Sequence, residues 1–342
     1  MIKELVEKLK GYSEGCEERC IDLRMLRFEA REAETKLIDG LWSYYFKSNP
    51  KKPNDPKVVW AAKQFCKMAG IPFSFFHKNP EYMKSHMVEC WLPTLKPEKS
   101  QILAKLRRTS EQDNFVIRAL LPVEFTNITN IDVMEAIGEV MEASGDSYRV
   151  EFVIGDERDD LILHVRLINN ETFEVCGEKC SVGFSVICSE LGASNLTVDT
   201  MLYREESKTC LVASYPGPYF DYEYEKIQAK DLMELFPPLI VRLKTQLAEI
   251  KLRIQSAKEE TESKADIHTL LKDLRLHKGL SEKFHTLLMQ EMVSVPHTRG
   301  DEPTLWDLSN KVALVSKNFD VVKRIQGERV AGELVRLSFA KT

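Results

Sequence analysis

Basic and aromatic side chains are concentrated between residues 63 and 108 of this chain. Cations neutralise phosphates and aromatic rings stack on unpaired bases, so this mixture favours a surface for single-stranded nucleic acid. The same pattern also fits helices with a charged outer side over a core of phenylalanine and tryptophan. The candidate contacts are Lys96, Lys99, Lys105, Arg107 and Arg108 with Phe75 and Phe76, preceded or accompanied by Lys63, Lys67, Lys78, Lys84, Phe73 and Trp91.

Two further arginines, Arg118 and Arg204, each lie within an otherwise apolar run that is typical of a strand. Burying a guanidinium without a partner is too costly, so each must meet a carboxylate or a ligand anion. We count both as candidate nucleic-acid contacts. Because the surrounding sequence is rich in carboxylates, an ion pair within the chain is the simpler interpretation.

Clustered carboxylates and paired cysteines raise the question of metals. Magnesium binds through a few carboxylates, which makes a metal-dependent nuclease a weaker alternative. Solvated turns are often acidic, and no nearby histidine completes a zinc site with Cys16 and Cys20, so we predict no metal, no cofactor and no catalytic residue. The carboxylates are Asp156, Glu157, Asp159, Asp160 and Glu174, and the cysteine pairs are Cys16/Cys20, which the spacing places on one helix, and Cys176/Cys180.

The formal net charge of −5 conceals a strong segregation of charge along the chain. Residues 51–108 carry 12 Lys and Arg against 4 Asp and Glu, a net of +8, whereas residues 109–225 carry 7 against 23, a net of −16. The basic segment can face phosphates, while the acidic region repels DNA and attracts basic partners. An acidic interaction protein is therefore the alternative to a nucleic-acid binder.

The predicted fold class is α+β, a mostly antiparallel sheet with flanking helices. Apolar spacing predicts a helical N-terminal segment at 1–47, a proline-rich linker at 48–57, an α+β core at 58–225 and a helical region at 226–342. Predicted strands lie at 115–121, 148–154, 161–168, 180–188, 196–203 and 209–213, with a hairpin turn at 155–160. Predicted helices lie at 57–69, 80–90, 132–143 with Asn130 as its N-cap, 304–317 and 320–337.

One helical segment, 240–257, carries a short heptad-like seam of Ile240, Leu243, Leu247, Ile250, Ile254 and Ala257. Such a seam fits either the inner face of a bundle helix or contact with a second copy. The sequence has no apolar run near the ~20 residues that a membrane helix needs. Its first ten residues are charged throughout, so we expect a cytoplasmic protein without a membrane partner.

The order of several short motifs resembles a family of phage- and plasmid-encoded proteins known as a domain of unknown function. The motifs are Arg108-Thr109, Arg118-Ala119, Ser189-Glu190 with Gly192, and Tyr203-Arg204 before Cys210, within a likeness that runs from about Trp60 to Cys210. The likeness returns at Thr304–Asn310 and at Ala331-Gly-Glu-Leu. Two departures stand out, since Leu211-Val212 replaces an Asn-Gly and Pro122–Phe125 replaces a Ser-Asp-Arg-Tyr-like turn.

The element order is also similar to that of phage single-strand annealing proteins of the RecT, Erf and Red-beta type. These resemblances imply a non-enzymatic protein that binds and anneals single-stranded DNA as a homo-oligomer in recombination or replication. The alternative is a phage protein whose acidic surface binds a host protein. We expect an oligomer larger than a dimer, with residues 96–108 lining a continuous groove.

Overall fold

A computed structural model shows two six-stranded sheets, each with helices packed against it, and confirms the α+β class. The structure has two large apolar cores, one on a face of the first sheet and one formed by the second sheet together with Ala119 and Leu121 of the first. The structure describes residues 2–31, 34–39, 42–46, 56–109, 114–125, 128–145, 147–154, 162–175, 177–212, 220–222, 231–259, 269–273, 280–293 and 304–340.

The first sheet has the strand order β1-β5-β6-β4-β3-β2. All neighbouring strands are antiparallel except β4 and β6, which are parallel. A parallel pair requires a crossover, and most of the chain between β4 and β6 is helical. The strands are β1 (Cys16–Asp22), β2 (Arg27–Arg31), β3 (Glu34–Asp39), β4 (Trp42–Phe46), β5 (Gln101–Arg108) and β6 (Asn114–Pro122).

The described residues between β4 and β5 include four α-helices. They are α2 (Pro56–Ala69), α3 (Phe73–Lys78), α4 (Glu81–Trp91) and α5 (Pro97–Ser100). Phe65 of α2 stacks on Phe28 of β2 at 6.0 Å between ring centroids, and Phe76 of α3 meets the same ring edge-on at 5.9 Å. The apolar side of these helices therefore forms a core with one face of the first sheet.

The predicted helical segment at 1–47 is wrong beyond its first turns. The described residues of this segment form α1 (Ile2–Ser13), a 3-10 turn at Leu23–Met25 and the strands β1 to β4. Phe28 and Ala30 are buried two residues apart, as are Tyr44 and Phe46, which is the period of a strand. The apparent helical spacing in this segment joins residues of different elements, since Leu9 lies on α1, Leu23 in a short 3-10 turn and Leu37 on β3. Cys16 and Cys20 consequently lie on β1 rather than on a helix.

The second sheet is antiparallel throughout, with the order β11-β10-β9-β8-β7 and with β12 beside β10. Five of its strands were predicted, although β8 extends seven residues beyond the predicted end at 168. The acidic turn at 155–160 lies outside the described residues. The strands are β7 (Tyr148–Ile154), β8 (Leu163–Val175), β9 (Glu178–Cys188), β10 (Leu196–Arg204), β11 (Thr209–Val212) and β12 (Phe220–Tyr222).

Helix α6 (Asn130–Ser144) connects the two sheets along the chain. Its N-cap is Thr129 and not the predicted Asn130, which is the first helical residue. The Thr129 side chain accepts from the backbone of Asp132, whose carboxylate accepts in return from the backbone of Thr129. This reciprocal capping box satisfies two backbone donors that the helix itself leaves unpaired.

The predicted helical C-terminal region is present, and it packs into the core of the second sheet together with α1 and α6. Its helices are α7 (Leu232–Leu235), α8 (Pro237–Glu259), α9 (Glu282–Val293), α10 (Leu305–Ser316) and α11 (Val321–Ala340). The seam residues Ile250, Ile254 and Ala257 are buried in this core, so this half of the seam is the inner face of a bundle helix. Among the described helices, none combines the length and the apolar content needed to cross a bilayer.

Candidate nucleic-acid interface

The predicted groove at 96–108 is largely an inner strand of the first sheet. Lys105 lies on β5, is 3% exposed, and forms an ion pair with Glu18 at 2.8 Å between Nζ and Oε1. Arg107 donates from a terminal guanidinium nitrogen to the backbone carbonyl of Tyr12 at 3.2 Å. Both side chains thus have partners within the chain, and the alternation of a strand directs them to one face of the sheet.

The other candidates of this segment differ in exposure. Arg108 is exposed, forms an ion pair with Glu17 at 3.3 Å, and lies over the Phe115 ring. Lys96 is exposed just before α5. Phe76 is 6% exposed and belongs to the core. The side chains of Phe75 and Lys99 lie outside the described residues.

Arg118 forms part of a junction between the two sheets. One of its terminal nitrogens lies 3.0 Å from Glu190 Oε1 and the other lies 3.3 Å from Cys16 Sγ. Glu190 Oε2 accepts from the backbone N–H of Asn130, at the start of α6. Strand β6, the turn after β9 and helix α6 therefore meet at one buried ion pair, as the simpler interpretation of Arg118 predicted.

The rest of that turn is held by α2. Trp60 Nε1 and Gln64 Nε2 both donate to the carbonyl of Leu191, at 3.0 and 3.2 Å. Gln64 also accepts from the backbone of Leu120 on β6. Trp60, Arg118 and the Ser-Glu-Leu-Gly motif, all noted in the sequence, thus come together as a structural contact between the two cores.

Arg204 has a partner of the same kind. Its Nε donates to Glu178 Oε2 at 2.5 Å, and its guanidinium lies 5.3 Å from the centre of the Trp306 ring. Trp306 Nε1 donates to the other oxygen of Glu178 at 3.2 Å. The ion pair therefore connects the second sheet to α10.

Further cations of the basic region lie on the helices that cover the first sheet. Lys63 and Lys67 of α2 and Lys78 of α3 are exposed, and Lys84 of α4 is half-buried. Helix α3 lies between the two neighbours, because Lys63 Nζ is 5.6 Å from the Phe73 ring and Lys84 Nζ is 5.8 Å from the Phe76 ring. The exposed Lys63, Lys67 and Lys78, together with Tyr82 of α4, are called the basic helical face below.

Local turns place these helices side by side. Gly70 adopts a φ of +68°, which glycine tolerates and other residues rarely do, and it ends α2. The backbone N–H groups of Gly70 and Ile71 donate back to the carbonyls of Lys67 and Cys66, as at a typical helix C-terminus. Pro72 and Pro80 then precede α3 and α4, where proline's fixed φ and missing donor are tolerated.

Tyr82 is the functional candidate that the sequence analysis missed. Its side chain is 72% exposed, on the same helix as Lys84 and four residues after Lys78. Val88, the fully buried residue of α4, lies about 240° around the helix from it. That spacing could have shown that Tyr82 lies off the apolar stripe, whereas most other rings of the region face the core.

A second feature without a local sequence signal is a buried polar layer between the second sheet and α11. Arg166 pairs with Glu328, Arg329 pairs with Asp199 at 3.0 Å, and His164 Nε2 lies 2.8 Å from Ser185 Oγ. Burial lowers the pKa of His164 well below its usual value, and Arg166, Arg324 and Arg329 lower it further. His164 and Ser185 are each 1% exposed, so this pair is enclosed.

The nuclease alternative gains no support. In the part of the chain that the structure describes, no three His, Cys, Asp or Glu side chains converge as a metal site would require. Glu174 is exposed on β8, and Asp156, Glu157, Asp159 and Asp160 lie outside the described residues.

Comparisons with protein-family models, with curated proteins and with solved structures give no match. The resemblance to phage and plasmid proteins therefore stays a prediction. Any function has to be inferred from the geometry of this chain.

Proposed function

We propose that this protein binds single-stranded DNA on the basic helical face and acts as a non-enzymatic homo-oligomer in DNA recombination or replication. The observation that carries the proposal is Tyr82, an aromatic ring 72% exposed on α4, with Lys63, Lys67 and Lys78 exposed on the preceding helices α2 and α3. An exposed ring among cations is what a single strand requires, because its phosphates follow the charges while a base stacks on the ring.

The uneven distribution of charge along the chain indicates which side of the protein a DNA strand approaches. The helices of this face belong to the segment with a net of +8, whereas residues 109–225, which supply most of the second sheet, have a net of −16. A polyanion is attracted by the first and repelled by the second. DNA should therefore approach from the helical side of the first sheet.

Oligomerisation follows from the small size of this face. Single-strand binders typically cover ~4–16 nucleotides per binding unit, and annealing needs a longer extended strand. Repeating the subunit by head-to-tail contacts lengthens the track. Light scattering should give a species larger than a dimer at micromolar concentration, and a strict monomer with and without DNA would overturn the annealing mechanism.

The direct test compares Tyr82→Ala with Tyr82→Phe. Removing a stacked ring costs about 1–3 kcal/mol, so Tyr82→Ala should weaken binding of a labelled oligothymidylate about 5- to 150-fold in fluorescence anisotropy. Tyr82→Phe keeps the ring and should bind like the parent. Equal affinity of the alanine variant and the parent would refute the stacking role of this face.

A further inference from the structure

Strand β7 forms an edge of the second sheet. Among the described residues it pairs with β8 alone, and the strand order of the sheet ends with it. Native proteins usually keep edge strands short, charged or covered, because their outward N–H and C=O groups can join a further strand. β7 has seven residues, two of them charged, and it contains no proline, glycine or lysine. Its sequence therefore does not protect this edge.

The other edges in the described part of the chain differ from β7. Strand β1 carries four charged residues among seven. On β2, the backbone N–H of Ala30 donates to Oγ of Ser85 at 3.0 Å, so helix α4 covers that edge. Strands β11 and β12 have only four and three residues. Of these edges, β7 is the one suited to pair with another strand.

The pairing with β8 shows which backbone groups of β7 face outward. The N–H of Asn170 donates to the carbonyl of Ser147 at 2.9 Å, and the register places these two residues opposite each other. Hydrogen-bonded and non-hydrogen-bonded positions alternate in an antiparallel pair, so Arg149 and Glu151 also direct their backbone groups toward β8. Val150 and the other even-numbered residues of β7 direct theirs away from the sheet.

A second copy of β7, running antiparallel to the first, meets these outward groups. We propose that two copies of this chain join their second sheets through β7, with Val150 of one copy opposite Val150 of the other on a two-fold axis. Arg149 then lies across from Glu151 of the second copy, and the symmetry repeats this attractive pair. Phe152 lies across from Tyr148 of the second copy, on the face of β7 that packs against the core.

The charges of β7 select this register. Moving the axis by one residue keeps the hydrogen-bond pattern but places either two copies of Arg149 or two copies of Glu151 directly opposite, which is destabilising. Both side chains lie on the face away from the core, where Arg149 donates to Glu205 at 2.7 Å and Glu151 accepts from Tyr203 at 2.8 Å. They remain 28% and 41% exposed, so each can meet a charge on a second copy.

A two-fold contact closes on itself, so β7 alone yields a dimer. The larger assembly proposed above needs a second, different contact. The β7 interface does not depend on nucleic-acid binding, and its tests need no DNA.

Analytical ultracentrifugation of the full-length protein tests the interface. Val150→Pro removes an N–H that faces away from β8, where proline is tolerated, so the subunit should keep its circular dichroism while the mass of the assembly halves. Cys20→Pro is the matched control on the edge strand β1. Because the N–H of Arg108 donates to the carbonyl of Gly15, Cys20 also faces outward, and its replacement should leave the mass unchanged. A monomeric parent, or equal masses for the parent and Val150→Pro, would overturn the proposal.

Cysteine cross-linking tests the register and does not require proline to be tolerated. In a background of Cys20→Ser and Cys90→Ser, which removes two exposed thiols, Val150→Cys places two Cα atoms about 5.5 Å apart across the axis, within disulfide range. Phe152→Cys is the matched control, because its two copies would lie roughly 14 Å apart. Mild oxidation with diamide should give a covalent dimer of the first variant and not of the second. No cross-link at residue 150, or equal yields from both variants, would refute the register.

Discussion

Neutralising Glu190 should destabilise the whole protein, because this carboxylate connects the two cores. Its side chain is 11% exposed and that of Arg118 is 7% exposed, so the pair is shielded from water. Removing one charge of a buried pair costs about 3–5 kcal/mol, since the other charge stays buried without its counter-ion. Glu190→Gln keeps the shape of the side chain. Its amide NH₂ would, however, face Arg118 or the backbone N–H of Asn130, both of which donate to the carboxylate in the parent.

The expected size of the thermal shift follows from chain length. At about 2.1 cal/mol/K per residue, unfolding 342 residues has an entropy of ~0.7 kcal/mol/K. A loss of about 3–5 kcal/mol then lowers the melting temperature by about 4–7 °C. Differential scanning calorimetry of the variant at neutral pH measures this shift.

Two matched variants make the result interpretable. Glu206→Gln removes an exposed carboxylate and should shift the melting temperature by less than about 1 °C. Arg118→Met combined with Glu190→Gln should recover part of the loss, because no buried charge then lacks a partner. If Glu190→Gln melts like Glu206→Gln, the junction contributes no net stability and the reasoning fails.

Three further predictions concern other parts of the fold. Lys105→Glu should greatly reduce the yield of soluble protein, because it places a buried carboxylate against Glu18. A normal yield and a normal melting temperature would contradict the buried ion pair. Because folding lowers the pKa of His164, the stability that this residue contributes is complete above its unfolded-state pKa of ~6.5 and is lost as the pH falls below that value. The parent protein should therefore lose stability between about pH 6.5 and 5. His164→Gln should show a flatter dependence of stability on pH in urea titrations. Gly332→Ala should lower the melting temperature more than a typical surface substitution does, because the added Cβ would lie 1.7 Å from the carbonyl oxygen of Val212. The control is Gly11→Ala, because a Cβ at Gly11 would meet no atom within 4 Å.

Elements with a regular local period could be predicted from the sequence. Helix α2 has apolar residues at helical spacing and a terminal Gly70, and β7 and β9 have continuous apolar or alternating runs, so their positions were predicted closely. Residues 16–46 were missed because short strands offer only two or three alternations each. Apolar residues from a short 3-10 turn and from separate strands then imitated the spacing of one helix.

For the candidate interface, the sequence predicted which residue types are present but not which side chains are exposed. The basic residues at 63–108 were recognised, but their burial depends on partners far away in the chain, as with Lys105 and Glu18, or Arg118 and Glu190. Neither pairing leaves a local signal. Tyr82 was missed although its spacing from Val88 places it off the apolar stripe of α4.

The most direct test of the proposed function is the salt dependence of oligothymidylate binding by two charge-reversal variants. One reverses Lys63, Lys67 and Lys78 to glutamate on the basic helical face, and the other reverses the exposed Lys3, Lys8 and Lys10 of α1. Each phosphate contact contributes about 0.7 to the slope of log affinity against log salt on a single strand, so losing three should flatten the slope by about 2. We predict that the slope flattens by about 2 in the first variant and changes little in the second. Failure of the parent protein to bind at about 50 mM salt, or an equal flattening in both variants, would contradict the proposed interface.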